Sequence, residues 1–279
     1  MRQETATKKR SILAWIGGKS LLAEKIIPLM PPHHCYCEVF AGAAWLLFKK
    51  PESKAEVIND INSDLVTLYR VIKYHLDEFI RYLRWLLAAR EEFERFKAMR
   101  PETLTDIQRA VRFYYLHRSA FAPGLASPVF RSGTTHKAKF NLLRIEEDLS
   151  AAHLRLAGVT IENQPFTQII ARFDKPWTFF YIDPPYYGCE RYYGKGQFER
   201  DDFGRLAEQL RNIKGKFCMS INDVPEIRRL FNAFRIRSVP TTYSVGAAKQ
   251  KPVRELLIMN YVPRGRGALK AAERRRARR

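Results

Sequence analysis

The tetrapeptide Asp183-Pro184-Pro185-Tyr186 follows directly on the apolar run Trp177-Thr178-Phe179-Phe180-Tyr181-Ile182. Such a run reads as a fully buried strand, although periodicity alone does not separate it from a helix segment. The two prolines end it, because each fixes φ and lacks an N–H. The chain therefore leaves the sheet in a stiff, extended turn. That turn carries a carboxylate (Asp183), a carbonyl without a ladder partner (Pro184) and a phenol ring (Tyr186). In open α/β sheets, ligands bind at this carboxyl end of the strands. Two acceptors beside an aromatic plate suit an exocyclic amino group on a flat heterocycle: the acceptors take its N–H bonds and the ring stacks on its face. The competing reading is a strand-ending turn whose aspartate does no chemistry.

Two further stretches are candidates to meet that turn. Glu38-Val39-Phe40 leads into Ala41-Gly42-Ala43-Ala44, small residues that let a ligand approach the backbone near a helix N-terminus. Asp60 ends the next apolar run, about 20 residues further on. An acid there commonly holds the ribose hydroxyls of an adenosine-containing ligand. Its alternative role is to cap the helix that follows.

A parallel sheet is needed to bring these residues together, and the pattern supplies one. Short strands at Cys35–Phe40 and Ala55–Asp60 alternate with a helix opening at Ala41 and a helix capped by Asn62 or Ser63, with Leu65, Leu68, Val71 and Ile72 on one face. From about Leu76 to Leu156 the pattern is mainly long amphipathic helix, broken by a Gly/Pro/Ser-rich loop from Ser119 to Phe140. Alternation resumes with strands at Val159–Glu162 and before Asp183, a helix over Phe203–Ile213 and a strand over Phe217–Ile221. Arg235–Val239 and Leu256–Val262 are expected to close the sheet as an antiparallel edge.

Composition narrows the partners. The 49 basic and 29 acidic residues give a net charge of +20. Residues 264–279 hold eight basic residues and one acid, so +7 lies in the tail and +13 is spread over the body. A surplus spread over the body implies a polyanionic partner, most simply nucleic acid. No apolar run is long enough for a membrane span, and no apolar signal region follows the N-terminal charges, so the reading is a cytoplasmic chain without a membrane partner. Cys35, Cys37, Cys189 and Cys218 lack the spacing of a zinc site and read as reduced thiols; no metal is expected.

These residues carry a resemblance to the Dam-type adenine-specific (N6) DNA methyltransferase family. Trp15-Ile16-Gly17-Gly18-Lys19 is similar to its N-terminal motif and Glu38-Val39-Phe40-Ala41-Gly42-Ala43-Ala44 to its cofactor motif. Asp60-Ile61-Asn62-Ser63-Asp64-Leu65 resembles its acidic strand end, and Asp183-Pro184-Pro185-Tyr186 matches its catalytic tetrapeptide. One position departs: Ala44 stands where the family motif has its second glycine. The resemblance implies a Rossmann-like α/β sheet that uses S-adenosyl-L-methionine, with a mainly helical target-recognition insertion. The implied domains are a discontinuous catalytic domain (residues 1–75 and 157–263), a DNA-recognition insertion (76–156) and a basic flexible tail (264–279).

It further implies site-specific methyl transfer to the N6 amino group of adenine in double-stranded DNA, with base flipping. Asp183, Pro184 and Tyr186 would be catalytic. Trp15, Lys19, Glu38, Phe40, Gly42, Asp60 and Asp183 would line the cofactor pocket. Arg109, Arg112, Arg118, Arg131, Lys137, Lys139 and Arg144 of the insertion, with Lys249 and Lys251 on the late hairpin, are candidates for DNA phosphates. A bacterial or phage origin and a cognate restriction nuclease, as a genetic rather than physical partner, fit the same picture. The alternatives are a catalytically impaired DNA-binding module of this fold, or a methyltransferase acting on RNA or on a protein glutamine.

Overall fold

The computed structural model describes residues 11–13, 20–87, 89–120, 129–130, 142–190, 196–242 and 252–263. Five short strands pair in parallel: β1 (Cys35–Glu38), β2 (Ala55–Asn59), β3 (Val159–Glu162), β4 (Thr178–Ile182) and β5 (Lys216–Asn222). A hairpin of β6 (Arg235–Thr242) and β7 (Pro252–Met259) completes a seven-stranded sheet in the order β3-β2-β1-β4-β5-β7-β6. The hairpin forms as the expected antiparallel edge with shifted bounds. β6 runs on past Val239 to Thr242, and β7 starts at Pro252 and stops at Met259 rather than spanning Leu256–Val262, because the two strands pair on toward their connection. β7 slots between β5 and β6, antiparallel to both. Pro240 is tolerated inside β6 because that strand is an edge.

The strands read as continuous apolar runs because both faces of the sheet are covered. Alternation survives within them. Tyr36, Ile58, Phe179, Tyr181, Cys218 and Leu257 face one buried cluster, and Cys37, Val57, Phe180, Ile182, Met219 and Leu256 face another. The first face is covered by α1 (Ser20–Ile26), α2 (Trp45–Lys49), α3 (Ser63–Tyr74), α4 (Leu76–Leu83), α5 (Arg90–Ala98), α6 (Asp106–Ser119) and α7 (Leu142–Leu156). The second is covered by α8 (Phe166–Phe173), α9 (Asp202–Arg211) and α10 (Pro225–Leu230).

Local signals set the helix starts. Asn62, rather than Asp60 or Ser63, caps α3: its Oδ1 accepts from the backbone N–H groups of Asp64 and Leu65 at 3.0 and 3.2 Å. Thr105 and Gln108 form a capping box on α6. Helices α4 to α7 sit between α3 and β3 in the chain, and Val111 and Tyr114 share one buried cluster with Leu68 and Ile72 of α3. Among the described residues no helix is long and apolar enough to cross a membrane. All four cysteines are free, and burial pushes the Cys218 thiol up to about 12.

Candidate active site

Strand order reverses between β1 and β4, so the chains leaving their carboxyl ends diverge and open a crevice. In register, Glu38 lies beside Tyr181, and Tyr181 beside Cys218. Side chains two apart share a face. Tyr36 and Glu38 on β1, Tyr181 and Asp183 on and after β4, and Ser220 on β5 therefore form one polar row across three strands.

The β1 side of the crevice is a tightly held loop. Gly42 takes φ 47°, a conformation natural to glycine, and Ala44 takes φ 47° as well, the one non-glycine left-handed residue described. The motif's second glycine thus has a backbone reason, and this chain fills the position with a strained alanine instead. Asp60 braces the loop: its Oδ2 accepts from Gly42 N–H at 2.9 Å and its Oδ1 from Asn62 N–H at 2.9 Å. The Gly42 carbonyl accepts from the Tyr69 hydroxyl at 2.7 Å. Burial raises the pKa of Asp60, and the backbone donors from Gly42 and Asn62 work against that rise.

Glu38 lies beneath the loop, 2% exposed. Its Oε2 accepts from the Tyr36 hydroxyl at 2.9 Å and from Leu47 N–H at 3.3 Å. It thereby supplies the acceptor that α2 lacks at its own N-cap, which is Ala44. Burial pushes Glu38 up to about 8, against the pull of these two donors, and the nearby Asp183 charge adds to the rise.

Phe40 stands in an aromatic group with Phe166 and Phe198, at ring separations of 5.8 and 5.6 Å. With Asn59, Ile61, Gln164 and Phe166 it borders a cavity of about 390 Å³. Asn59 and Ile61 are the chain neighbours of Asp60, so the cavity lies at the end of β2.

On the β4 side, Pro184 and Pro185 are buried, and Asp183, Tyr186 and Tyr187 are half-buried. Asp183 Oδ1 accepts from the Ser220 hydroxyl at 2.9 Å, and Ser220 Oγ lies 2.7 Å from the Tyr181 hydroxyl. Asn222 holds both backbone groups of Tyr187. Sequence reasoning missed Ser220, Asn222, Ile61, Gln164 and Phe166. The stripe Phe166-Ile169-Ile170 after Pro165 was a readable helix start; a single serine in an apolar strand gave no signal.

The structure therefore brings Glu38, Phe40, Gly42 and Asp60 to the β1 side of the crevice and Asp183, Pro184 and Tyr186 to the β4 side. Trp15, Lys19, Arg131, Lys137, Lys139, Lys249, Lys251 and residues 264–279 lie outside the described residues. Two of the proposed phosphate contacts are engaged within the protein. Arg109 pairs with Asp64 and donates to Ser63 Oγ at 2.8 Å. Arg112 donates to the Phe96 carbonyl at 2.8 Å, closing the end of α5. Arg118 lies with its guanidinium 5.6 Å from the Tyr114 ring, and its buried Nε has no hydrogen-bond partner among the described residues. Arg144 is exposed on α7. Among the described residues no group of three or more His, Cys, Asp or Glu side chains could hold a metal ion.

The profile of the D12 class N6 adenine-specific DNA methyltransferases matches residues 15–245. A DNA adenine methylase of Serratia marcescens is 37% identical over 120 residues, covering 41% of this chain and 43% of that protein. Type II methyltransferase M.MjaIII of Methanocaldococcus jannaschii is 27% identical over an alignment covering 90% of this chain and 99% of that protein. A DNA adenine methylase of Salmonella typhi is 26% identical, covering 90% and 95%. The Serratia match thus spans less than half of its relative, and the other two span nearly all of theirs.

Proposed function

Because this chain belongs to the D12 class N6 adenine-specific DNA methyltransferase family, we propose that it methylates the N6 amino group of adenine within a specific sequence of double-stranded DNA. The observation that supports this most is the Asp183 turn: a strand-end carboxylate anchored by Ser220, followed by a proline carbonyl and a half-buried phenol ring. The adenine amino nitrogen is a poor nucleophile, because its lone pair is delocalised into the ring. Asp183 and the Pro184 carbonyl accept its two N–H bonds, draw it toward tetrahedral geometry and expose the lone pair. Methylation would break the donor's methyl–sulfur bond and leave positive charge on the nitrogen, which the Asp183 carboxylate offsets until one N–H proton is lost to solvent.

The residues fit S-adenosylmethionine as methyl donor. Phe40, Ile61 and Phe166 offer apolar walls for an adenine ring at the end of β2, and the remaining lone pairs of Asp60, the residue before Ile61, suit ribose hydroxyls. Glu38 keeps the loop in place from below, and the acidic character of the crevice suits a cation. When bound, this cofactor supplies a methyl group already activated by its sulfonium charge. The protein's task is then alignment of the two reactants, which is worth roughly 7–11 kcal/mol.

Inside a duplex the amino group is out of reach, so the base flips out at a cost of a few kcal/mol. Stacking on Tyr186 returns about 1–3 kcal/mol, and phosphate contacts supply the balance. Arg118, Arg144 and the basic residues at 131, 137, 139, 249 and 251 are the candidates for these contacts. The protein would act on DNA in the cytoplasm, with a restriction nuclease as its genetic counterpart. Tyr186→Ala should weaken capture of the flipped base and Tyr186→Phe should be much milder; equal losses would remove the stacking role. Sequencing that detects N6-methyladenine in DNA from cells expressing the chain tests the function. Methylation at one short sequence is expected, and adenine left unmodified throughout would overturn the reading.

A further inference from the structure

We propose that Ser220 and Asn222 form a two-point clamp that positions the Asp183–Tyr186 turn for methyl transfer; the proposal rests on the reaction assigned to that turn above. The turn has a mechanical problem. Its two central residues are prolines, which stiffen φ but donate no hydrogen bond, so they fix its shape without fixing its place on the sheet. Its place must be set at its ends, and β5 reaches both.

Ser220 and Asn222 are two apart on β5 and share a face. The register Tyr181↔Cys218 and Ile182↔Met219 carries Asp183 alongside Ser220. Ser220 is fully buried, and its hydroxyl donates to Asp183 Oδ1 at 2.9 Å. A serine has one proton to give, so the 2.7 Å contact with the buried Tyr181 hydroxyl is donated by the tyrosine. A relay results, Tyr181 to Ser220 to Asp183, that fixes which carboxylate oxygen points along the sheet and which points away from it.

Asn222 secures the other end. Its Oδ1 accepts from Tyr187 N–H at 2.9 Å and its Nδ2 donates to the Tyr187 carbonyl at 3.0 Å. Both backbone groups of the residue after Tyr186 are thereby held, which fixes the backbone from which the Tyr186 ring projects. Ser220 governs the acceptor and Asn222 governs the ring. Both are positioning residues, acting through Asp183 and Tyr186.

Among the described residues, Glu38 on β1 is close enough to interact with the Asp183 charge, Tyr181 reaches it through Ser220, and a hydrogen bond donated by Ser220 favours an ionised carboxylate. The test uses the full chain, a duplex substrate and steady-state methyl transfer. Ser220→Ala is expected to lower kcat about tenfold or more, the worth of a hydrogen bond to a charged group. The KM values for DNA and cofactor should stay within about twofold, and the acidic limb of the kcat profile should move to higher pH. Tyr181→Phe should act in the same direction but less, and carries the test if Ser220→Ala does not fold. Ser220→Thr, which restores the hydroxyl, should regain most of kcat.

Asn222→Ala should instead weaken capture of the flipped base, read as a smaller fluorescence rise from 2-aminopurine at the target position. Its acidic limb should stay where it is. Ser220→Ala at wild-type kcat with an unmoved acidic limb would overturn the proposal, as would Asn222→Ala with wild-type base capture. A wild-type chain that leaves adenine unmethylated would instead overturn the reading beneath it.

Discussion

The two ends of the sheet both bury carboxylates, and they hold them in opposite ways. At the amino end of β2, Glu56 is 5% exposed and accepts from both Lys50 and Arg155. Lys50 also donates to Ser53 Oγ at 2.9 Å and sits 4.4 Å over the Tyr36 ring, and Arg155 donates to the Leu47 carbonyl at 3.0 Å. Burial alone would raise the Glu56 pKa, but Arg155 and Lys50 bring it below the ordinary value. At the carboxyl end, Glu38 and Asp60 accept from hydroxyl and backbone N–H donors, and burial leaves both pKa values raised. Tyr36 joins the two ends, carrying the Lys50 charge on its ring face and holding Glu38 with its hydroxyl. The lower acid is neutralised by cations and bolts α7 to the sheet. The upper acids are oriented by neutral groups, and burial makes each of them hold its proton more readily than a free carboxyl does.

The largest effect should come from breaking the lower bolt. Glu56→Ala leaves Lys50 and Arg155 buried without their shared partner, which typically costs about 3–5 kcal/mol. Denaturant unfolding measures it, and the folded fraction should still transfer methyl groups at a rate within several-fold of wild type. A loss below about 1 kcal/mol would mean that the two ends do not differ as described.

The upper end should respond to pH instead. The pKa of Glu38 is raised from 4.5 to about 8 on folding, so the folded state holds the proton more tightly. This contribution is complete below about pH 4.5 and is lost as pH rises through 8. Glu38→Gln keeps an acceptor for Leu47 N–H and removes the titration. Its stability relative to wild type should therefore improve between pH 5 and 8 by a few kcal/mol. Unfolding free energies at several pH values check this, and parallel curves would contradict it.

The smallest change is Ala44→Gly. A left-handed alanine costs roughly 1–2 kcal/mol, of which glycine's greater freedom in the unfolded chain takes back about 0.5–1. A net gain of roughly 0.5–1 kcal/mol is expected, a rise in Tm of about 1–2 °C. An unchanged or lower Tm would show that the loop does not strain Ala44.

What the sequence made legible was whatever announces itself locally. The apolar run ending in two prolines marked β4 and its turn, the Asn62-Ser63 pair marked the start of α3 without deciding between them, and Asp60 marked a strand end. Ser220 and Asn222 stayed invisible, because a lone polar residue in a strand acquires meaning only when its neighbour in the sheet is known. Helix α8 is short, and its stripe of three buried side chains was passed over between two clearer strands. The phosphate candidates suffered from the opposite problem. Counting cations found Arg109 and Arg112, but a charge count does not reveal that Asp64 and the end of α5 engage them. Ala44 was legible as a departure from a motif, whereas its cost became visible only with the backbone angle.

The central claim is that the Asp183 carboxylate acts on the amino group and not on the DNA backbone. Asp183→Ala, assayed for methyl transfer in a single turnover and for duplex affinity, tests it most directly. Transfer should fall by at least about a hundredfold, the scale on which removing one aligned electrostatic partner acts. The dissociation constant for DNA should stay within a few fold. Transfer within about tenfold of wild type, or affinity lost in step with transfer, would contradict the account.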